Sequence, residues 1–191
     1  MRSKLGFFGA IAFLAAVPVA LLAQVIFGGI SAETVIHFAC GIGFVLCAMA
    51  MFDFPLPRSI TWIGFTATSA VGIIFLIQGV SNLMPDNDAL FYLAFQILGQ
   101  GLEGWLIDLF TLWLIAVLFV HSQGWTRVFG FVVLSIIVVV EIYRIVLISS
   151  GGDFPGALKL LSLLALVWFL LESKQKISSP VRASRPLGIQ P

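Results

Sequence analysis

Six apolar stretches divide this chain, each close to the roughly 20 helical residues needed to cross a hydrocarbon core of about 30 Å. They cover Leu5–Phe27, Ala32–Phe52, Ile60–Val80, Leu102–Val120, Val128–Ile148 and Pro155–Leu171. A backbone in lipid must satisfy its own hydrogen bonds, so each stretch is expected as a helix. The breaks between them carry turn chemistry: Gly28-Gly29 before Ser31, Pro55 and Pro57 before Ser59, and Gly151-Gly152 before Asp153 and Pro155. Residues are 60% hydrophobic and only 10% charged, against about 25% charged in a soluble domain. Most of the surface is therefore expected to face lipid.

The expected fold is an all-α polytopic membrane bundle: a six-helix transmembrane domain over residues 1–172, then a disordered basic cytoplasmic tail over 173–191. The first apolar run, about 23 residues, exceeds the 7–15 of a signal-peptide core and reads as an uncleaved span. The stretch Ala89–Gly101 is expected as a short extra interfacial or re-entrant helix before span four, or as the start of a long tilted fourth helix. Charge sets the count. With six spans and both ends inside, Arg2, Lys4, Arg58, Arg127, Lys174, Lys176, Arg182 and Arg185 share the cytoplasmic side. A seventh span would carry Arg127 and the tail charges across, against the positive-inside rule. The expected location is the plasma (cytoplasmic) membrane, multi-pass, with the lipid bilayer as a partner.

Other classes find little support. A net charge of +1 and no basic–aromatic platform argue against nucleic acid as a partner. Cys40 and Cys47, seven residues apart, would sit about 10 Å apart along a helix, too far for a mutual disulfide. No CxxC pair or zinc-type spacing occurs, and no cofactor or metal is expected.

Polar residues within the spans crowd toward the outer side. Gln24 and Gln78 end spans one and three there; Glu33 and His37 open span two; Gln96, Gln100, Glu103 and Asp108 lead into span four; Glu141 and Arg144 occupy the outer third of span five. A charged residue at a helix centre costs roughly 2.5–3.5 kcal/mol on an insertion scale, so these groups are expected to face the interior or a hydrated cavity. The inner half holds little beyond Thr66, Thr68, Ser69 and His121. An outward-facing polar cavity over an apolar plug is expected, with His37, Gln100, Glu103, Asp108, Glu141 and Arg144 as ligand-binding candidates.

Each has a structural alternative. Glu33 suits the dipole of a helix start. His37 reads more readily as a hydrogen-bonded interface histidine, and Glu141 with Arg144 equally as an internal ion pair. Asp86-Asn87-Asp88 fits turn and capping duties. Asp108 stands deepest. Gln96, Gln100 and Glu103 share one face at i, i+4, i+7 if that helix is regular, whereas Gly99, Gly101 and Gly104 invite a break.

Small residues recur at four-residue spacing: Ala12, Ala16 and Ala20; Ala39, Gly43 and Cys47; Gly64, Thr68 and Gly72. They suit close helix packing or a docked membrane protein partner. The six-span layout, the chain length and the Ala-x-x-x-Ala spacing in span one resemble the substrate-binding subunits of energy-coupling-factor vitamin transporters. That resemblance implies a solute site near the outer face and a partner docked on the first helix. The leading expectation is thus a protein that binds or transports a small solute. A structural or regulatory subunit is the next reading. A membrane-embedded hydrolase or metal-dependent enzyme is the third, without an HExxH or GxSxG motif to support it.

Overall fold

The computed structural model of the chain describes residues 2–27, 32–149 and 155–178. Among these the regular elements are all helical: α1 (Arg2–Phe27), α2 (Ala32–Ala50) closed by a 3-10 turn at Met51–Asp53, α3 (Arg58–Leu83), the short α4 (Asp88–Phe91), a π-helix (Tyr92–Glu103), α5 (Gly104–Val120), α6 (Gly124–Ser149) and α7 (Pro155–Ser178). The chain is all-α over this range. Three helices are long and apolar enough to span a membrane: Ala32–Asp53, Arg58–Leu83 and Asp88–Val120. Shorter apolar stretches lie in α1 (Lys4–Ala16) and α6 (Gly124–Val140).

Of the two forms expected for the segment before span four, the structure has the start of a long fourth helix and not a separate interfacial or re-entrant helix. The segment is continuous with α5, forming a 33-residue helix from Asp88 to Val120. Asn87 starts it, its Oδ1 accepting the Leu90 N–H at 3.0 Å, and no proline interrupts the run from there to Val120. The stretch Tyr92–Glu103, which includes Gly99 and Gly101, is wound as a π-helix and not broken. The Asp86-Asn87-Asp88 turn therefore performs the capping duty expected of it. Asn87→Ala is expected to lower stability by about 1 kcal/mol, measurable as a reduced Tm in detergent.

Close contacts set the helix order. Gly9 of α1 lies against Gly43 and Cys47 of α2, Gly41 of α2 against Gly72 of α3, Gly64 of α3 against Trp113 of α5, and Gly130 of α6 against Trp168 of α7. These pairings run each long helix antiparallel to the next. The core between them is aromatic and large: Phe44, Phe110, Trp113, Leu114, Trp168 and Phe169 are all essentially buried. Phe44 stacks on Phe75 with ring centroids 5.7 Å apart and meets Phe110 edge-on at 6.2 Å, an arrangement favoured by the ring quadrupoles.

The small-residue stripes are used inside the bundle. Ala16 and Ala20 of α1 are buried with Ala12 half-buried, Gly43 and Cys47 of α2 are buried with Ala39 half-buried, and Gly64, Thr68 and Gly72 of α3 are all buried. Outward faces carry the opposite character. Val25, Ile73, Leu112, Val139 and Ile142 are exposed on α1, α3, α5 and α6. An apolar girdle of this extent is an aggregation hazard in water and an ordinary surface in lipid.

The antiparallel order gathers Lys4, Arg58, Arg127, Lys174 and Lys176 at one end, here termed the basic end. His37, Asn82, the Asp86–Asp88 turn and Glu103 belong to the opposite, distal end. The last helix runs to Ser178, beyond the Leu171 boundary suggested by hydropathy. Residues 179–191 lie outside the described part of the chain.

Candidate functional site

At the distal end the organising residue is Gln78. It lies on the buried stripe of α3 with Val71, Ile74 and Ser81 and is only 3% exposed. Its amide nitrogen donates to the Ala94 carbonyl at 3.4 Å and to Glu103 Oε2 at 3.3 Å. The close approach depends on Gly99, where a Cβ would sit 2.9 Å from that nitrogen. The amide oxygen, Oε1, is buried with no hydrogen-bond partner. Such an orphan costs roughly 1–3 kcal/mol unless something else meets it. The carbonyl, the carboxylate and the glycine all belong to the π-helix, a winding often found at functional sites.

His37 stands beside this group. Its Nδ1 is 2.8 Å from the Glu33 carbonyl and 3.3 Å from Asn82 Nδ2. The carbonyl only accepts, so Nδ1 carries the hydrogen in that contact. The ring is wedged between Phe75 at 5.8 Å and Phe95 at 5.7 Å. This is the hydrogen-bonded interface histidine named as the structural alternative.

Glu103 joins Gln78, whereas Asp108 is half-buried one turn further along α5. Gln96 is exposed; π winding, with its i→i+5 bonds, destroys the regular i, i+4, i+7 face assumed for Gln96, Gln100 and Glu103. The side chains of Gln100, Glu141 and Arg144 lie outside the described residues. A shallow open hollow over residues 83–88 also lies at this end and reaches none of the candidates.

The basic end holds a second polar centre, which sequence reasoning missed. Glu172 of α7 is fully buried. Its Oε1 accepts hydrogen bonds from Ser122 Oγ and from Trp168 Nε1 at 3.2 Å, one turn earlier on the same helix. Its Oε2 has no hydrogen-bond partner and lies 3.9 Å from His121 Nε2, which has none either. Thr126 Oγ1 adds a bond to Gln175 Oε1 at 2.6 Å. Residues 121–126, between α5 and α6 and opening α6, thereby grip the last turns of α7. Phe54 covers the site, edge-on to His121 at 5.5 Å and packed on Trp113 and Phe169.

No family model, curated protein or solved structure matches the chain. Its function must be read from these two centres. His37 and His121 sit at opposite ends of the bundle, so they share no site. Among the described residues, no three His, Cys, Asp or Glu side chains converge as a metal cage would require.

Proposed function

We propose that this is a six-span protein of the plasma membrane, with its basic end in the cytoplasm, that binds a small hydrogen-bond-donating solute at the distal end. The observation carrying this reading is the buried, unpartnered Gln78 Oε1 beside Glu103, within a π-wound stretch of a spanning helix. Gln78 and Glu103 both present oxygen acceptors, which suits an amine, an ammonium group or a polyol. Membrane embedding is supported by the apolar girdle and by the basic residues collected at one end. Exposed Trp62 and Trp125 near that end, with Tyr92 toward the other, match the aromatic preference for the two interfaces.

The competing readings are less well supported. The small-residue faces suited to a docked partner are filled internally, at Gly9 against Gly43 and at Gly41 against Gly72. An enzyme would need converging acid–base groups, and the Gln78 centre is built instead from an amide, a backbone carbonyl and a single carboxylate.

Thermal unfolding of the detergent-solubilised chain tests the reading against a panel of amines, polyols, amino acids and vitamins. A ligand at 100 times its Kd is expected to add about 2.7 kcal/mol, a rise of several degrees. Gln78→Leu and Glu103→Gln are each expected to remove that gain. A panel that leaves Tm unmoved, or a gain that survives both substitutions, would refute the solute site.

A further inference from the structure

We propose that the distal site holds a hydroxyl group between Gln78 and Ser81, which makes its ligand a polyol and not an amine. The inference rests on the solute site proposed above and narrows it. Its new element is Ser81, on the buried stripe of α3 three residues beyond Gln78. Ser81 is only 1% exposed, and its Oγ has no hydrogen-bond partner. Serines and threonines within helices often turn such a hydroxyl back onto the carbonyl four residues earlier. Elsewhere in this chain they do: Thr61 donates to Pro57 at 3.3 Å, Ser135 to Phe131 at 2.9 Å and Ser178 to Lys174 at 2.9 Å. Ser81 does not take that partner, so its hydroxyl remains available to a group outside the helix.

The orientation of the Gln78 amide fixes what that group must do. Its nitrogen carries two hydrogens, one directed at the Ala94 carbonyl and the other at Glu103 Oε2. Reversing the amide would set its oxygen against those two acceptors, so the two ends are told apart by their partners. Oε1 therefore accepts and cannot donate. Ser81 Oγ carries a hydrogen of its own, which needs an acceptor. Helix positions three apart place their Cβ atoms about 5–6 Å from each other. One bridging oxygen with two bonds of about 2.7–2.8 Å covers such a gap. A hydroxyl meets both demands at once, donating to Gln78 Oε1 and accepting from Ser81. An ammonium group only donates; it would satisfy Gln78 and strand the Ser81 hydrogen. A water molecule offers the same two functions as a hydroxyl, so a test must separate bound polyol from bound water.

Equilibrium dialysis of the full-length chain in detergent does so, with radiolabelled sorbitol and myo-inositol as the polyols and 1,4-diaminobutane as the amine. Saturable binding of at least one polyol is expected, and none of the diamine. Ser81→Ala should weaken polyol binding by about tenfold, the worth of one hydrogen bond. Without ligand, the same variant should melt at the parent temperature or above it, because a methyl group replaces a hydroxyl that had no partner. A loss of several degrees, or failure to fold, would show that the hydroxyl is bonded within the chain and overturn the proposal. So would polyol binding that Ser81→Ala leaves unchanged. Binding of neither polyol also overturns it, leaving water as the group between the two residues; the wider thermal panel then decides the solute reading by itself. Diamine binding that Gln78→Leu removes and Ser81→Ala does not would keep the solute site and refute the hydroxyl.

Discussion

Glu172→Ala is expected to be among the most destabilising single substitutions in this chain, lowering stability by about 3 kcal/mol. Two terms add. Removing the carboxylate strands the Trp168 Nε1 and Ser122 Oγ donors, and a buried donor left without a partner costs roughly 1–3 kcal/mol. Truncation also leaves a void beneath Phe54 and Phe169, with a cavity penalty of its own. One term opposes them, because a buried carboxylate bears a desolvation cost that the substitution removes. The donors should win, since the Trp168 ring is itself fully buried and its N–H has no water to turn to. Glu172→Gln isolates the balance. Its amide oxygen can still accept from Ser122 and Trp168, so a loss of about 1 kcal/mol is expected. Thermal melts in detergent, with tryptophan emission as the second probe, measure both. Equal losses for Ala and Gln would show that the two hydrogen bonds contribute little.

The buried carboxylate also marks where sequence reading runs out. Hydropathy adds up over some 20 residues, so the apolar runs from Ala32 and Ile60 stand out and their helices fall close to where expected. A single acid at the edge of such a run barely changes the sum. Glu172, following Leu171 and preceding Lys174 and Lys176, looks like the start of a solvated tail. The available signal was local: Trp168 and Glu172 are one helical turn apart, so the indole N–H can reach the carboxylate. Depth along a helix misleads in a similar way. Asp108 ranks high by distance from the membrane surface, yet Gln78 is far more buried, because burial depends on helix face as much as on depth. The stripe Val71, Ile74, Gln78 and Ser81 carries that face and is legible once α3 is read by period. The π winding of Tyr92–Glu103 was not legible. Gly99, Gly101 and Gly104 announce an irregularity but do not distinguish a break from a widened turn.

Gly41→Val tests the helix packing that places both polar centres, and its expected loss is at least about 3 kcal/mol. A Cβ at Gly41 would stand 2.7 Å from Leu76 Cγ and 2.9 Å from the Gly72 carbonyl oxygen. The leucine can rotate away; the carbonyl belongs to the α3 backbone and cannot. Overpacking a flexible core costs about 1–3 kcal/mol, and here the relief requires two helices to move apart. Separation would strain the contacts that tie α2 to α3 on either side of Gly41, from the His37 ring against Phe75 at 5.8 Å to Thr68 Oγ1 against Met51 Sδ at 3.8 Å. Gly79→Ala is the matched control. Its Cβ would meet the Phe38 ring at 3.1–3.2 Å, a side chain able to yield by a few tenths of an ångström, so its cost should stay below about 1 kcal/mol. Ile42→Ala, next to Gly41 but on the outward face, should change stability by no more than about 0.5 kcal/mol. Melting the three variants in one detergent orders them. A Gly41→Val variant as stable as Gly79→Ala would mean that α2 and α3 do not meet backbone to backbone, and would detach Gln78 from the frame that holds it beside Glu103.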